Sequence, residues 1–376
     1  MGDRLAALAF PWLVYKATGS ALGTGAVFAL YTLPWVVFGA FSGVIVDRID
    51  KRRLMVAMDI LRAVLVLAVP FLATRSLPSV FVLAFVIASL GVFFDPAKLA
   101  IVPEIVPGDR LMRANSLLST GENLTEILGW ALAGLLLAAV STTAAFRLDA
   151  ATFVVSAVAL ALMRYRPPVR DAAAKAAGGF RKELNEGFTF LRRDRGLRAN
   201  TTMIVVCVAG MGAVYPLTFL FAVDVLGRGA GAFGALEAVS SVGFLVGSLA
   251  LVALAARVRK GRVMIGGLLA MGICLALVAL TDSVWVAAVP FALFGLANAL
   301  VLIAVDTFLQ QTVPEGMRGR VFSTRFMLTQ GTYAVSVLVG GALAGVVDVR
   351  LLFVVAGVIV AASGLVGLLS REIRSS

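Results

Sequence analysis

The chain has 376 residues, of which 60% are hydrophobic and 14% are charged, and its mean hydropathy is +0.99. Soluble domains are about 45–50% apolar and about 25% charged, so this composition excludes a soluble globular protein and indicates a polytopic membrane protein. The net charge of +12 lies mostly in short segments between apolar runs, which disfavours a nucleic-acid-binding protein, because such proteins carry their cations on a soluble face.

Long apolar runs predict membrane-spanning helices, since about 20 residues cross a bilayer as a helix, and they disfavour a β-barrel, whose strands are short and alternating. The first run, residues 5–15, is too short to cross alone. Eleven further runs are predicted as spans, at residues 26–46, 54–73, 80–94, 117–139, 144–163, 201–222, 232–254, 263–280, 284–308, 322–345 and 351–369. We therefore predict an all-α fold with twelve transmembrane helices.

A short charged segment separates the second and third runs, and it reads Gly43-Val44-Ile45-Val46-Asp47-Arg48-Ile49-Asp50-Lys51-Arg52-Arg53. Cations beside the end of an apolar helix mark the cytoplasmic side. Gly43 would let another helix approach closely, and Asp47 at a helix end is costly unless it is paired. A simpler interpretation, a loop that only sets topology, explains the cations but neither Gly43 nor Asp47.

A polar, basic segment at residues 164–199 breaks the apolar pattern. It begins with two prolines and an alanine-rich stretch. Large apolar side chains then recur at helical spacing, at Phe180, Leu184, Phe188 and Leu191. We interpret this amphipathic helix as a linker that lies on a surface rather than as a binding element.

The two halves of the chain repeat each other. Val106-Pro107 recurs as Val313-Pro314, and Arg113 has its counterpart in Arg320 at the same offset. The repeat predicts two six-helix bundles, residues 1–163 and 200–376, joined by a cytoplasmic linker at 164–199, with a site at the bilayer midplane between them. The same offset places Met1 well inside the seventh helix, so we expect the first helix to lack about 10 residues at its start.

Acidic residues inside predicted spans are candidates for a proton or substrate path, because ionisable groups in a membrane usually face a cavity. Glu122 and Glu126 share one face of the fifth helix, and Glu237 lies in the eighth. Asp3 would lie in the first helix if that helix were complete. Histidine is absent, so a proton-coupled step must use carboxylates or lysine. We rank Glu122 and Asp3 first.

Other charged residues near helix ends have a structural interpretation. Asp59 and Arg62 can pair on one face at the start of the third helix. Asp95 and Asp306 are placed at inner helix ends, where they would be structural or support a latch. Few basic residues are expected at mid-span, which favours a lipophilic substrate.

Most Lys and Arg residues fall in segments on one side of the predicted membrane, which places the linker and the carboxyl terminus in the cytoplasm. We therefore predict a multi-pass protein of the inner, cytoplasmic membrane.

Neither cysteine indicates a cofactor. Cys207 and Cys274 lie inside apolar runs and lack metal-ligand spacing, so we predict no metal and no cofactor. No Gly-x-x-x-x-Gly-Lys-Ser/Thr motif occurs, which disfavours an ATP site. We predict that the protein is not an enzyme.

The charged segment resembles the signature loop of the major facilitator superfamily, Gly-x-x-x-Asp-Arg-x-Gly-Arg-Arg, with matches at Gly43, Asp47, Arg48, Arg52 and Arg53. Asp50 replaces the second glycine. Other motifs make nearly the whole chain similar to macrolide-efflux and enterobactin-exporter-like permeases, namely Gly2-Asp3-Arg4, Phe94-Asp95-Pro96-Ala97, Arg113-Ala114-Asn115-Ser116-Leu117 and Gly319-Arg320-Val321-Phe322.

The resemblance implies two bundles that rock about a central site and a latch on the cytoplasmic side. The latch residues would be Gly43, Asp47, Arg48, Arg52, Arg53, Arg318 and Arg320. One departure concerns the fifth helix, where antiporters of the superfamily carry Gly-Pro-x-x-Gly-Gly. This chain has Gly129-Trp130-Ala131-Leu132-Ala133-Gly134 without the proline, a pattern also typical of close helix packing.

We predict a secondary active transporter that exports a lipophilic or amphipathic small molecule in exchange for protons. The expected partners are that substrate, protons and membrane lipid, without nucleic acid, and a monomer is expected. Two alternatives stay open: a same-fold importer or proton symporter of a small metabolite, and a non-transporting membrane scaffold.

Overall fold

The structure is a computed structural model that describes residues 2–107, 110–139, 141–165, 180–254 and 259–375. For some residues within these ranges, including Gly43, Asp47, Arg48 and Arg318, it describes the backbone alone. The alanine-rich part of the predicted linker lies outside the described residues. The chain divides into two compact units, Met1–Lys175 and Ala176–Ser376. The linker helix belongs to the second unit, whereas the sequence prediction sets residues 164–199 apart.

The described residues of the first unit form six α-helices: α1 (Gly2–Thr18), α2 (Ala21–Arg48), α3 (Lys51–Ala73), α4 (Leu77–Ile105), α5 (Leu111–Ala139) and α6 (Thr142–Leu162). The second unit begins with the linker helix and contains α7 (Phe180–Arg193), α8 (Arg195–Met211), α9 (Val214–Leu220), a π-helical turn (Phe221–Val225), α10 (Gly229–Leu254), α11 (Lys260–Val278), α12 (Val284–Thr312), α13 (Glu315–Leu343), α14 (Val349–Leu369) and α15 (Arg371–Ser375).

Short polar side chains set where several helices begin. The Ser20 hydroxyl accepts a hydrogen bond from the Gly23 amide at 3.1 Å, and the Ser141 hydroxyl accepts one from the Ala144 amide at 3.2 Å. Asp194 caps α8 in the same way, through the Leu197 amide at 2.7 Å. Each cap satisfies an amide that the first helical turn leaves without a partner.

Within the described residues, ten helices are long and apolar enough to cross a membrane. Of the two remaining predicted runs, α5 contributes the shorter apolar segment Leu124–Ala139, and α1 has 17 residues. Large apolar side chains such as Val155, Trp285 and Leu369 are exposed on these helices, as expected for a surface that faces lipid. The predicted all-α polytopic fold is confirmed.

The internal repeat is visible in matching helix ends. At the end of α4 the Val106 amide donates a hydrogen bond to the Val102 carbonyl, and at the end of α12 the Val313 amide donates one to the Leu309 carbonyl, both at 3.0 Å. A proline follows each cap and stops the helix from continuing.

Several helices extend further than predicted, and in α3 and α4 the extension changes the position of charged residues. The fourth helix was predicted to end at residue 94, but α4 continues through Pro96 and Pro103 to Ile105, so Asp95 lies inside it. Residues 51–53 form the first turn of α3 instead of a loop. Arg62 is therefore eleven residues from either end of α3, and the prediction that it lies near the start was wrong.

The seventh predicted span is broken. It was predicted as one helix over residues 201–222, but α8 ends at Met211, α9 begins at Val214, and a π-helical turn follows. Pro216 has no amide hydrogen to donate to the Gly212 carbonyl, four residues earlier, which explains the interruption.

Glycines bring α10 and α12 into backbone contact. A Cβ atom added at Gly243 would overlap the Ala292 carbonyl, and one added at Gly295 would overlap the Ser240 carbonyl. Small residues allow such close approach between membrane helices, where van der Waals packing replaces the hydrophobic effect as the main attraction.

Candidate functional site

The signature motif runs from α2 into α3, and the turn between these two helices consists of Ile49 and Asp50. The Asp50 carboxylate accepts a hydrogen bond from the Arg53 amide at 3.0 Å, and the Arg53 guanidinium lies 3.7 Å from the same carboxylate. The aspartate that replaces the second glycine of the motif therefore has a local role, because it caps the start of α3.

The predicted latch residue Arg52 contacts another residue of the first unit. Its guanidinium donates a hydrogen bond to the Met163 carbonyl at 2.8 Å, at the carboxyl end of α6. A cation is favourable there because helix carbonyls point outward without partners. The side chains of Gly43, Asp47, Arg48 and Arg318 lie outside the described residues, so the latch stays a prediction.

A buried polar triad next to this turn was not predicted. Lys51 is only 2% exposed, and its ammonium lies 2.9 Å from Glu104 Oε1. The Tyr165 hydroxyl donates a hydrogen bond to Glu104 Oε2 at 2.6 Å. The triad joins α3, α4 and the segment after α6. The sequence indicated a solvated loop cation at Lys51, and its burial follows from packing against α4.

In the second unit, the predicted latch residue Arg320 forms an ion pair with Glu186 of the linker helix α7. Gly187 and Leu191 are buried on the same side of α7, whereas Phe188 is exposed. A Cβ atom at Gly187 would overlap the Arg320 carbonyl and the Thr324 hydroxyl of α13. The amphipathic helix predicted from the sequence is therefore docked on α13.

Substituting Gly187→Leu is expected to detach α7 from α13, at a cost of about 1–3 kcal/mol, because the side chain has no room against the α13 backbone. Amide hydrogen exchange across residues 180–193 should become faster. Gly331→Leu is the matched control, since that glycine of α13 has no atom within 4 Å of an added Cβ. Equal exchange in the two variants would contradict the docking contact.

A cavity of about 840 Å³ lies in the first unit and is lined by residues of α1 to α5. Part of its wall is aromatic or apolar, contributed by Tyr31, Trp35, Ile87, Leu99 and Leu117. The rest carries charged side chains from α1, α3, α4 and α5. A cavity of this size can enclose a drug-sized molecule, and this combination of walls suits one with both apolar and polar parts.

The negative charge of Glu126 is compensated by Arg4 of α1. Arg4 Nη2 lies 2.5 Å from Glu126 Oε2, and the Trp130 indole donates a hydrogen bond to Glu126 Oε1 at 3.2 Å. The Arg4 guanidinium also lies over the Trp130 ring, 5.3 Å from its centroid. These contacts fix the glutamate at one end of the cavity wall.

Lys98 forms ion pairs with two carboxylates. Its ammonium lies 2.8 Å from Glu122 Oε1 on α5 and 3.4 Å from Asp95 Oδ1 on its own helix. One cation cannot fully neutralise two carboxylates, so a change in the protonation of either acid would alter the pairing of Lys98.

Arg62 forms the third ion pair of the cavity, with Asp3, and its side chain is buried. Its Nη1 atom lies 3.8 Å from Asp3 Oδ1, and its side chain is 4% exposed while that of Asp3 is 72% exposed. The guanidinium is 5.2 Å from the Phe94 ring centroid and 5.4 Å from that of Phe153. A Cβ atom at Gly91 would lie 2.7 Å from Arg62 Nη2, so the glycine leaves the space that the arginine fills.

The structure therefore brings Asp3, Glu122 and Glu126 to one cavity, whereas Glu237 is buried in α10 of the second unit and is not among the lining residues. Arg62 and Lys98 were not predicted as cavity residues, and the expectation of few basic residues at mid-span does not hold for this cavity. An ionisable group inside an apolar run marks a functional site whatever its sign, so the same signal that selected the acids could have selected both cations.

Comparisons with known proteins agree with this architecture. The chain matches a family model described as transmembrane secretion effector over residues 1–374. The multidrug efflux pump Tap of Mycolicibacterium fortuitum is 28% identical over 359 residues, covering 91% of this chain and 86% of that protein. Macrolide efflux protein A of Streptococcus pyogenes is 24% identical over 98% of this chain and 92% of its own length.

The fold also matches a solved transporter. The crystal structure of the nucleoside transporter NupG aligns with a TM-score of 0.71 at 14% identity, over 98% of both chains. With the family match spanning almost its whole length, the chain belongs to the transmembrane secretion effectors of the major facilitator superfamily, and it is a multi-pass membrane transporter rather than an enzyme.

Proposed function

We propose that this transporter exports an amphipathic small molecule in exchange for protons, by alternating access of two six-helix bundles. The observation that supports this most is the cavity of the first unit, in which ionisable pairs stand beside aromatic and apolar walls. Two relatives are named as a multidrug efflux pump and a macrolide efflux protein, which supports a bulky organic substrate and outward transport.

The proton would act on the ion pairs of the cavity. Protonation of a carboxylate removes its attraction for the neighbouring cation, so the pairs Asp3–Arg62, Glu122–Lys98 and Glu126–Arg4 can each exist in a closed and a released form. A substrate that binds one form better than the other shifts the equilibrium between them. Competition between proton and substrate for the same carboxylates gives exchange in opposite directions.

The membrane placement is part of the same proposal. The bias of Lys and Arg supports a cytoplasmic linker and carboxyl terminus, and we propose that the protein works in the cytoplasmic membrane as a monomer in contact with lipid. Asp47, Arg48, Arg318 and the other motif residues would then form a cytoplasmic latch. Arg320 is already paired with Glu186 of α7, so this latch would include the linker helix.

Inverted membrane vesicles that contain the full chain are expected to accumulate ethidium and labelled erythromycin when their interior is acidified. The acidic lumen of an inverted vesicle corresponds to the acidic exterior of the cell, so protons that leave the lumen drive substrate into it. Fluorescence and filter assays measure the accumulation, and vesicles without the protein are the control. Accumulation that persists after a protonophore collapses the gradient would overturn the proton coupling.

A second candidate function is import of a charged metabolite. Three cations line the cavity, Arg4, Arg62 and Lys98, and an importer of a charged solute is expected to carry such partners. Each of them already faces a carboxylate, which favours the amphipathic substrate. Uptake of glutamate by right-side-out vesicles, with no export of either dye or macrolide, would favour the importer.

A further inference from the structure

A carboxyl group outside the cavity lining has no described partner. Asp149 of α6 is 0% exposed, and neither of its carboxylate oxygens has a hydrogen-bond partner among the described residues. An ionised carboxylate is costly in such surroundings, since burial removes water and no donor replaces it. A buried polar group of this kind needs an explanation, and a role in proton transfer is one.

The position of Asp149 on α6 connects it to the cavity. Phe146, Asp149, Phe153 and Ser156 recur at helical spacing and so share one face of the helix. On one side of Asp149, Phe146 packs edge-on against Phe10 of α1, with 5.1 Å between the two ring centroids. On the other side, Phe153 lies under the Arg62 guanidinium. Asp149 therefore sits between an aromatic contact and the arginine that holds Asp3.

The charged and titratable neighbours of Asp149 come from three helices and the amino terminus. Asp3 of α1, the amino group of the chain and Arg62 of α3 interact with it electrostatically, as does Tyr31 of α2. The Tyr31 hydroxyl is buried and, within the described part of the chain, has no hydrogen-bond partner. Asp59 lies three residues before Arg62 on α3 and interacts with Arg62 and Asp3, and the Ser156 hydroxyl of α6 donates a hydrogen bond to its carboxylate.

Among the described residues, four carboxyl groups interact with Arg62, namely Asp3, Asp59, Asp95 and Asp149. Asp95 is also paired with Lys98, and Asp3 is largely exposed at the cavity. Asp59 and Asp149 are buried, so if both were ionised their charges would exceed that of the guanidinium, and the excess would be poorly screened at this depth. Asp59 has its serine partner, which leaves Asp149 as the group that most needs a proton.

We propose that Asp149 is the carboxyl group that carries the transported proton, and that Arg62 transmits its state to the cavity. When one Asp149 oxygen binds the proton, Arg62 pairs with Asp3. When the proton leaves, Arg62 is drawn toward the Asp149 carboxylate, and Asp3 becomes available to a cationic group of the substrate. This inference rests on the proposed proton coupling and adds to the cavity pairs a site that can bind the proton without first breaking an ion pair, as Glu122 and Glu126 must.

Infrared difference spectroscopy of the full chain in liposomes tests the proton site without a substrate. A change from acidic to alkaline buffer should remove the carbonyl stretch of a protonated, buried carboxyl group, and carboxyl-¹³C aspartate should shift that band. The Asp149 component of that band should be lost in Asp149→Asn and kept in two controls, Asp59→Asn at the other buried acid beside Arg62 and Asp282→Asn at an exposed ion pair with Arg350. Asp149→Glu should replace that labelled component by an unlabelled one. A labelled band that is undiminished in Asp149→Asn, or in Asp149→Glu if the asparagine variant fails to fold, would overturn the proposal.

A transport measurement connects this site to coupling. Asp149→Asn in proteoliposomes should keep the exchange of labelled for unlabelled erythromycin, which needs no net proton movement, and should lose accumulation driven by a pH gradient. Wild-type protein that shows no gradient-driven accumulation would refute the proposed function, while the infrared result would still report on Asp149. Normal accumulation by Asp149→Asn would refute the role of Asp149 alone.

Discussion

Arg62→Gln is expected to destabilise the first unit by about 3–5 kcal/mol and to abolish gradient-driven transport, because it leaves buried acids without their cation. Asp3, Asp59 and Asp149 all depend on this guanidinium for charge compensation. The substitution also empties the space between Phe94 and Phe153. Thermal unfolding followed by tryptophan fluorescence suits this test, since Trp12, Trp35 and Trp130 belong to the first unit.

Arg75→Gln is the matched control for this prediction. Arg75 also lies over a phenylalanine ring, that of Phe71, but it is exposed beyond the end of α3. Its loss should change the free energy of unfolding by no more than about 0.5 kcal/mol. Adding Asp149→Asn to Arg62→Gln should restore part of the lost stability, since the double variant removes one uncompensated carboxylate. If both arginine variants had the same Tm, the buried cluster would have no special role in stability.

Gly243→Ala and Gly295→Ala are each expected to destabilise the second unit by about 1–3 kcal/mol, because the new methyl group forces the α10 and α12 backbones apart. Cys207 and Cys274, the two cysteines of the chain, are both buried in this unit. Reaction of these thiols with a fluorogenic maleimide during heating therefore reports the unfolding of the second unit. Both variants should react at lower temperature than the wild type.

Gly266→Ala in α11 is the control for the two glycine variants, since an added Cβ meets no atom within 4 Å there. Alanine has the higher helix propensity, so this variant should be unchanged or more stable by up to about 1 kcal/mol. A Tm for Gly243→Ala as high as that of Gly266→Ala would contradict the close contact between α10 and α12.

Local chemistry accounts for what could be predicted. Apolar runs gave the membrane helices, because a backbone in lipid must satisfy its own hydrogen bonds and a helix does so within one segment. The repeat of Val106-Pro107 at Val313-Pro314 corresponds to two equivalent helix caps. The acids Asp3, Glu122 and Glu126 were found because charges inside apolar runs are rare without a role.

Predictions were wrong where the end of a helix fell among charged residues. Arg62 and Asp95 were assigned to helix ends because cations and acids near a loop are usually solvated. The folded chain includes residues 51–53 in α3 and continues α4 past two prolines, which moves both side chains inward. Asp149 lies in a predicted span and carries the signal that selected the other acids, yet the sequence analysis did not select it.

The sequence by itself determined that the chain is a helical membrane protein with two related halves, because hydrophobicity and helix caps act over a few neighbouring residues. Only the tertiary structure decided which charges meet. Lys51 with Glu104, Arg4 with Glu126 and Arg62 with Asp3 join residues far apart in the chain. Their pairing depends on how helices are rotated against each other, and packing of many side chains sets that rotation.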